Sequence, residues 1–346
     1  MERLLITLIL VCTMSNITNA QNPFYGQYHT PHGTVPFDRI ETEHYEPAIL
    51  EGIKLQNAEI EAIIQNPEKA DFSNTIEAFE ASGELLDKVV AVFGNMLSAE
   101  TNDDLQELAQ KIMPLLSEHS NNITLNEKLF ARVKEVYNQK ETLQLTQEQK
   151  QLLENAYNSF IRHGANLEGE AREEYRRLTT ELSKLTLTFS ENNLKETNAY
   201  QMLLTKKESL AGLPEIIIEA AAETAKNEEK EGWAFTLHAP SYIPFMTYSD
   251  NRDLRQKLYM AYNTKCTHDN EFNNIDIVKK IANTRMKIAQ LLGYKDYAEY
   301  TLKKRMAENS KSVYKLLNQL LEAYTPTAQQ LSLIHISEPT RRSYIS

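Results

Sequence analysis

The 346-residue chain carries 37 Lys and Arg against 48 Asp and Glu, a formal charge of −11. That balance weighs against a nucleic-acid partner, which needs clustered basic residues. Hydrophobic residues at 41% and charged residues at 25% give a globular composition, and 10 Gly and 11 Pro spread over the length exclude a low-complexity spacer. The two cysteines are Cys12 and Cys266. With Cys12 in a cleaved leader, neither an internal disulfide nor a cysteine-based zinc site is available.

Residues 1–20 read as a secretory signal. Arg3 gives a weakly positive start, an apolar run over residues 4–14 is too short to span a bilayer, and Thr18-Asn19-Ala20 supplies small residues for cleavage. An uncleaved anchor is the alternative. A lipoprotein signal is disfavoured because Val11 before Cys12 is bulky. The expectation is export, to the periplasm or outside, with no membrane span after cleavage.

Residues 22–47 are rich in Pro, Gly, His and Tyr and predict an extended lead-in. His29, His32 and His44 fall here, but their spacings fit no helical metal pair, so they read as loop histidines. From Glu46 to about Phe189 the apolar period is helical. Asn74 with Glu77 predicts a capping box, ahead of a stripe of Ile76, Phe79, Leu86, Val89, Phe93 and Met96. Thr101 opens another helix with Leu105, Leu108, Ile112 and Leu115 inward, which Pro114 should bend or end. Thr146 with Gln149 repeats the box ahead of Leu152, Leu153, Ala156, Phe160 and Ile161, and His163-Gly164 reads as a C-terminal cap. Leu178, Leu182, Leu185 and Phe189 step by four, three and four, a core stripe. Helices of this kind pack as a bundle.

Residues 203–214 read as irregular, and Pro214 starts a helix through Ile217, Ile218, Ala221, Ala222 and Ala225. The charged run 226–231 ends at Gly232 and reads as a solvated helix end. Trp233, Phe235 and Leu237 alternate with Ala234, Thr236 and His238 as in a strand, and Pro240 and Pro244 stop the ladder, giving a short β segment near 233–248. A helix starts at Asp250 with Leu254, Leu258, Ala261 and Tyr262 on its buried side. Residues 275–292 form another, with Val278, Ile281, Ile288 and Leu292 inward and Gly293 as cap. Tyr294, Tyr297 and Tyr300 follow at a spacing of three, and Ser310 opens a last helix with Val313, Leu316, Leu317, Leu320 and Leu321 buried. Cys266 has only His268 near it in sequence, too little for a nucleophile with its base.

Three stretches carry a family resemblance: FTLHAPSYIPFM (235–246), DNRDLRQKLYMAYN (250–263) and AQLLGYKDYAEYTLKKRMA (289–307), with support from NPFYGQYHTPHGTVPFDRIETEHYEPAI near the start and SGELLDKV (82–89). Over residues 22–330 the chain resembles the thimet-oligopeptidase-like zinc metallopeptidases, and their bacterial peptidyl-dipeptidase branch in particular. The resemblance implies a mainly α, two-lobed oligopeptidase fold. It also implies zinc as cofactor, oligopeptides as substrates, release of dipeptides from their C-terminus, and a monomer when intact. Residues 21–200 would be the N-terminal helical region and 201–330 the start of the catalytic domain. His238 and Tyr242 would lie near a peptide-binding groove, where an extended substrate could align along strand edges. The plainer reading is that they, with Tyr248, pack in place.

The family's chemistry needs HExxH on a helix, two zinc-binding His one turn apart with Glu as general base. The eight histidines are 29, 32, 44, 119, 163, 238, 268 and 335, and none begins HExxH. There is likewise no GxSxG, GxxxxGK[ST] or GxGxxG, and Glu228-Glu229 sits in a charge run that reads as surface. The sequence therefore yields no catalytic and no metal residue, and predicts a chain inactive on its own. Residues 331–346, LSLIHISEPTRRSYIS, are expected not to continue the last helix; LSLIHISEPTR resembles a translated sequencing adapter, which would make the tail foreign and the chain a truncated piece. Truncation would leave the Leu316 to Leu321 face uncovered and the chain poorly soluble. The competing reading is a secreted helical binding module without catalysis.

Overall fold

A computed structural model describes residues 22–337; the expected leader and the last part of the expected foreign tail lie outside the described residues. The fold is mainly α, as the sequence predicts, with one small two-stranded sheet. The described residues divide into two compact units, with the division between residues 282 and 283.

In the first unit the lead-in is a series of short 3-10 turns, not a plain extended strand. Asn22 begins it by accepting the Phe24 amide, and Phe24 is fully buried against Tyr45, which in turn meets Phe93 at 5.2 Å. Helices α1 (Tyr45–Gln65), α2 (Glu84–Ala99) and α3 (Asp103–Thr124) close one core around Ile49, Val89, Phe93 and Ile112. Helices α4 (Glu127–Asn138) and α5 (Gln147–Arg162) close a second with the far end of α1, around Ile63, Ile76, Leu129, Val133 and Phe160. The long helix α6 (Gly169–Ala199) buries Tyr175 and Leu178. Its lower stripe fades: Leu182 and Leu185 are half-buried and Phe189 is exposed.

Local signals held where they are chemical and failed where they needed context. The Thr146–Gln149 capping box forms in both directions. His163-Gly164 closes α5 with the paired bonds Gly164 N–H to Ile161 O and Ala165 N–H to Phe160 O. The first box lies three residues earlier than expected: Asp71 caps and Asn74 reciprocates, into a π-type turn Phe72–Glu77, and the apolar stripe is broken before α2 by Gly83. Asn102, not Thr101, caps α3, and Leu115 is exposed. Pro114 does not end α3, which continues a further ten residues to Thr124. Buried Ile112, His119 and Ile123 hold both sides of that proline, and their burial outweighs the missing bond.

The rest of the first unit is a third core. Strand β1 (Gln201–Leu204) pairs antiparallel with β2 (Trp233–Thr236), Met202 opposite Phe235 and Leu204 opposite Trp233. The expectation of irregular chain from residue 203 is thus wrong at its start, because a four-residue strand shows itself only through its partner. Helix α7 (Glu215–Asn227) returns the chain to β2. The turn before β2 passes so close to β1 that a Cβ on Gly232 would stand 2.3 Å from the Leu204 carbonyl oxygen, at φ +114°. Both Ala234 and Phe235 are buried, so β2 lacks the one-sided burial that alternation predicts. The β segment also stops at Thr236. Residues Ala239–Tyr248 are helix α8, with Pro240 in its first turn, where a missing N–H costs nothing, and Pro244 inside. Helix α9 (Arg252–Asn263) is capped by Asn251 and not Asp250, and buries Leu258 while Tyr262 is exposed.

Helix α10 (Ile275–Leu291) crosses the division between the units. Ile281 and Ile288 are buried as expected, but Val278 is exposed. Gly293 caps it, with Tyr294 N–H on the Ala289 carbonyl. In the second unit Tyr300 meets Tyr294 edge-on at 5.3 Å, beside α11 (Tyr297–Leu302). Helix α12 (Ser310–Ser337) runs through Pro326 and past Gln330, so the expected break at residue 331 does not occur. Leu331 and Leu333 carry helix-forming character across that point. Its leucines are exposed, not buried. No helix among the described residues is long and apolar enough to cross a membrane.

Candidate functional site

His238 and Tyr242 come together on α8. His238 is the N-terminal cap residue, extended at φ −68° and ψ 142°, and Tyr242 follows one turn later on the same face. The entry into the helix is fixed by the Thr236 N–H, which donates to Ser241 Oγ at 3.0 Å. Beneath, Phe245 lies edge-on to Phe235 at 4.6 Å, both fully buried, which seats α8 on β2. The His238 side chain is exposed; Tyr242 is half-buried.

The Tyr242 ring stacks on Tyr262 of α9 at 4.1 Å and 18°. Burial pushes its phenol above the ordinary range, partly offset by a hydrogen bond with the Asn263 side chain. It therefore stays a neutral hydroxyl that both donates and accepts. Lys265 Nζ sits 4.5 Å from the centre of the Tyr262 ring. Ile243, Tyr248, Tyr259 and Met260 leave apolar surface open on the same two helices. Sequence reasoning named His238, Tyr242 and Tyr248 but missed Tyr262 as Tyr242's partner, because that contact joins two separate helices and no local spacing encodes it. This surface offers aromatic faces and hydroxyl and imidazole groups to a ligand. It holds no activated nucleophile.

Nor do these residues fit a zinc ion. Among the described residues no three of His, Cys, Asp and Glu converge on a metal position. His268 Nε2 comes within 3.9 Å of Glu196 Oε1, next to Cys266. Burial first, then Glu196, pushes the Cys266 thiol up to about 11, so it stays protonated, a poor ligand and a poor nucleophile. His29 lies in irregular chain and His32 in a 3-10 turn of the lead-in, and His44 Nδ1 accepts the Glu41 amide. A surface cavity of about 810 Å³ lies elsewhere, between α1 and α3, lined by Glu43, Glu46, Leu50, Glu107 and Lys111 among others.

The family model for peptidase family M3 matches residues 245–334, beginning inside α8 and ending inside α12. The match thus takes in Tyr248, Tyr262 and Cys266, starts just after His238 and Tyr242, and passes Gln330. The chain is 34% identical over 303 residues to dipeptidyl carboxypeptidase of Escherichia coli K12, covering 87% of this chain and 44% of that protein. It is 29% identical over 313 residues to oligopeptidase A of Salmonella typhimurium LT2, covering 89% and 45%. To a probable cytosolic oligopeptidase A of Arabidopsis thaliana it is 27% identical over 328 residues, covering 92% and 45%. The chain spans less than half the length of these relatives. Residues 245–334 thus match peptidase family M3, and over most of its length the chain is similar to bacterial dipeptidyl carboxypeptidase and oligopeptidase A.

Proposed function

We propose that the polypeptide carrying this chain is an exported, zinc-dependent metallopeptidase that releases dipeptides from the C-terminus of oligopeptides. The reading rests on the family match over residues 245–334, supported by 34% identity to a dipeptidyl carboxypeptidase along 87% of the chain. Residues 1–20 support export by their signal-like pattern. Within this chain, His238, Tyr242 and Tyr262 contribute peptide contacts, and the chain alone does not cleave peptides because HExxH is absent from its sequence.

The test is to supply the purified 346-residue chain with zinc and a C-terminally quenched fluorescent oligopeptide. No cleavage is expected. Cleavage that chelator abolishes would overturn the inactivity. For the activity itself, independent sequencing of the gene across codon 330 is decisive: a frame running on to HExxH supports the peptidase, and a natural stop codon there contradicts it. The exposed leucines of α12 favour a second reading, a helical peptide- or protein-binding module without catalysis, which that stop codon would support.

A further inference from the structure

The connection between α9 and α10, residues 264–274, is tied down at a distance. Its ties converge on the last turns of α6, some 70 to 85 residues earlier in the chain. The Glu196 carboxylate is 12% exposed. It accepts the backbone N–H of Cys266 on one oxygen and, on the other, the Asn270 side-chain amide at 3.2 Å. His268 approaches the same oxygen, and Lys265 Nζ donates to the neighbouring Thr197 hydroxyl at 3.1 Å. One turn lower, Asn274 donates to the Phe189 carbonyl at 2.9 Å and accepts from Asn192 at 3.0 Å.

The conformation so held is not one the loop would keep unaided. Cys266 sits at φ +58°, the left-handed region that a side-chain-bearing residue rarely occupies. Its carbonyl accepts the Asn274 amide at 2.8 Å, which folds the loop back on itself. The thiol is buried. The loop's first residues are what connect this clasp to the aromatic surface: Lys265, anchored on Thr197, lies over the ring of Tyr262, which also stacks on Tyr242.

We propose that Glu196 is a positioning residue, whose carboxylate clasps the 264–274 loop onto α6 and so holds Tyr262 against Tyr242 in the peptide-contacting surface. The inference rests on the reading of His238 and Tyr242 as peptide contacts. Glu196 itself lies outside the family match, and touches no ligand in this scheme. Losing a charge-accepting hydrogen bond of this kind shifts a local opening equilibrium by roughly ten- to a hundredfold.

Cys266 reports the clasp directly. In a Cys12→Ser background it is the sole thiol, and its reaction with Ellman's reagent, followed across pH so that a change in the thiol's own ionisation is separated from opening, measures how often the loop opens. Glu196→Ala is expected to speed labelling by roughly ten- to a hundredfold and to weaken binding of a dansylated penta-alanine peptide about tenfold, with helical circular dichroism unchanged. Glu196→Gln retains an acceptor oxygen for the Cys266 amide, and should fall between wild type and alanine in both measurements. Labelling of both variants at the wild-type rate would overturn the clasp. Faster labelling with unchanged peptide affinity would overturn the positioning role. If Tyr242→Ala leaves peptide affinity unaltered, the contact reading fails on its own and takes the positioning role with it, while the labelling rates still decide the clasp.

Discussion

Two sets of leucines in this chain follow the same helical spacing and meet opposite fates. In the first unit Leu129 and Leu153 are fully buried, within a core shared by α1, α4 and α5. In the second, Leu316, Leu317, Leu320 and Leu321 of α12 are 57%, 50%, 39% and 65% exposed. Period alone says that a helix has an apolar face; it does not say that anything covers it. Each covered leucine contributes roughly 1.5 to 3 kcal/mol by leaving water. The α12 leucines contribute little of this, and present a continuous apolar patch instead.

That contrast can be broken or sharpened by mutation. The largest effect is expected at Phe160, fully enclosed between Phe79 and Phe130 at 5.4 and 5.7 Å. Phe160→Ala should cost about 3 to 5 kcal/mol and lower the melting temperature sharply in calorimetry. A small loss there would mean that the core is less closed than the burial indicates. Gly232→Ala comes next, at about 1 to 3 kcal/mol in denaturant titration, because the added Cβ meets the Leu204 carbonyl at an unfavourable φ. On α12 the sign reverses. Leu317→Ser with Leu321→Ser should change stability by less than about 0.5 kcal/mol and reduce self-association in light scattering. A large destabilisation would show that this face is covered after all.

The smallest effect concerns pH. His119 of α3 is buried with Nε2 2.7 Å from the Gln56 amide oxygen, and burial lowers its pKa from the ordinary 6.5. The folded state then holds fewer protons than the unfolded one just below 6.5, so stability is full above that pH and falls as pH drops through it. A melting temperature that declines with acid in the wild type, and less steeply in His119→Gln, is the expected pattern. Parallel declines would remove His119 as a source.

What could be read from the residues, and what could not, divides by range. The Thr146–Gln149 box, the His163-Gly164 cap and the Gly293 cap are exchanges of hydrogen bonds among near neighbours, and they form as their residue types dictate. Prolines misled: Pro114 and Pro244 sit inside helices because buried neighbours on either side, or a docked partner such as Phe235, outweigh one absent backbone bond. β1 was invisible because its four residues acquire strand character only opposite β2. For the candidate site, His238 and Tyr242 were reachable through resemblance. Tyr262 and Glu196 were not, since each acts through a contact between distant segments.

The account turns on the α8–α9 surface being where peptide is held. Titrating dansylated penta-alanine into the wild-type chain, His238→Ala and Tyr242→Ala, followed by fluorescence anisotropy, tests this most directly. The predicted result is saturable binding that weakens about tenfold in each variant, the scale of one or two lost contacts. Wild-type affinity in both variants would contradict it.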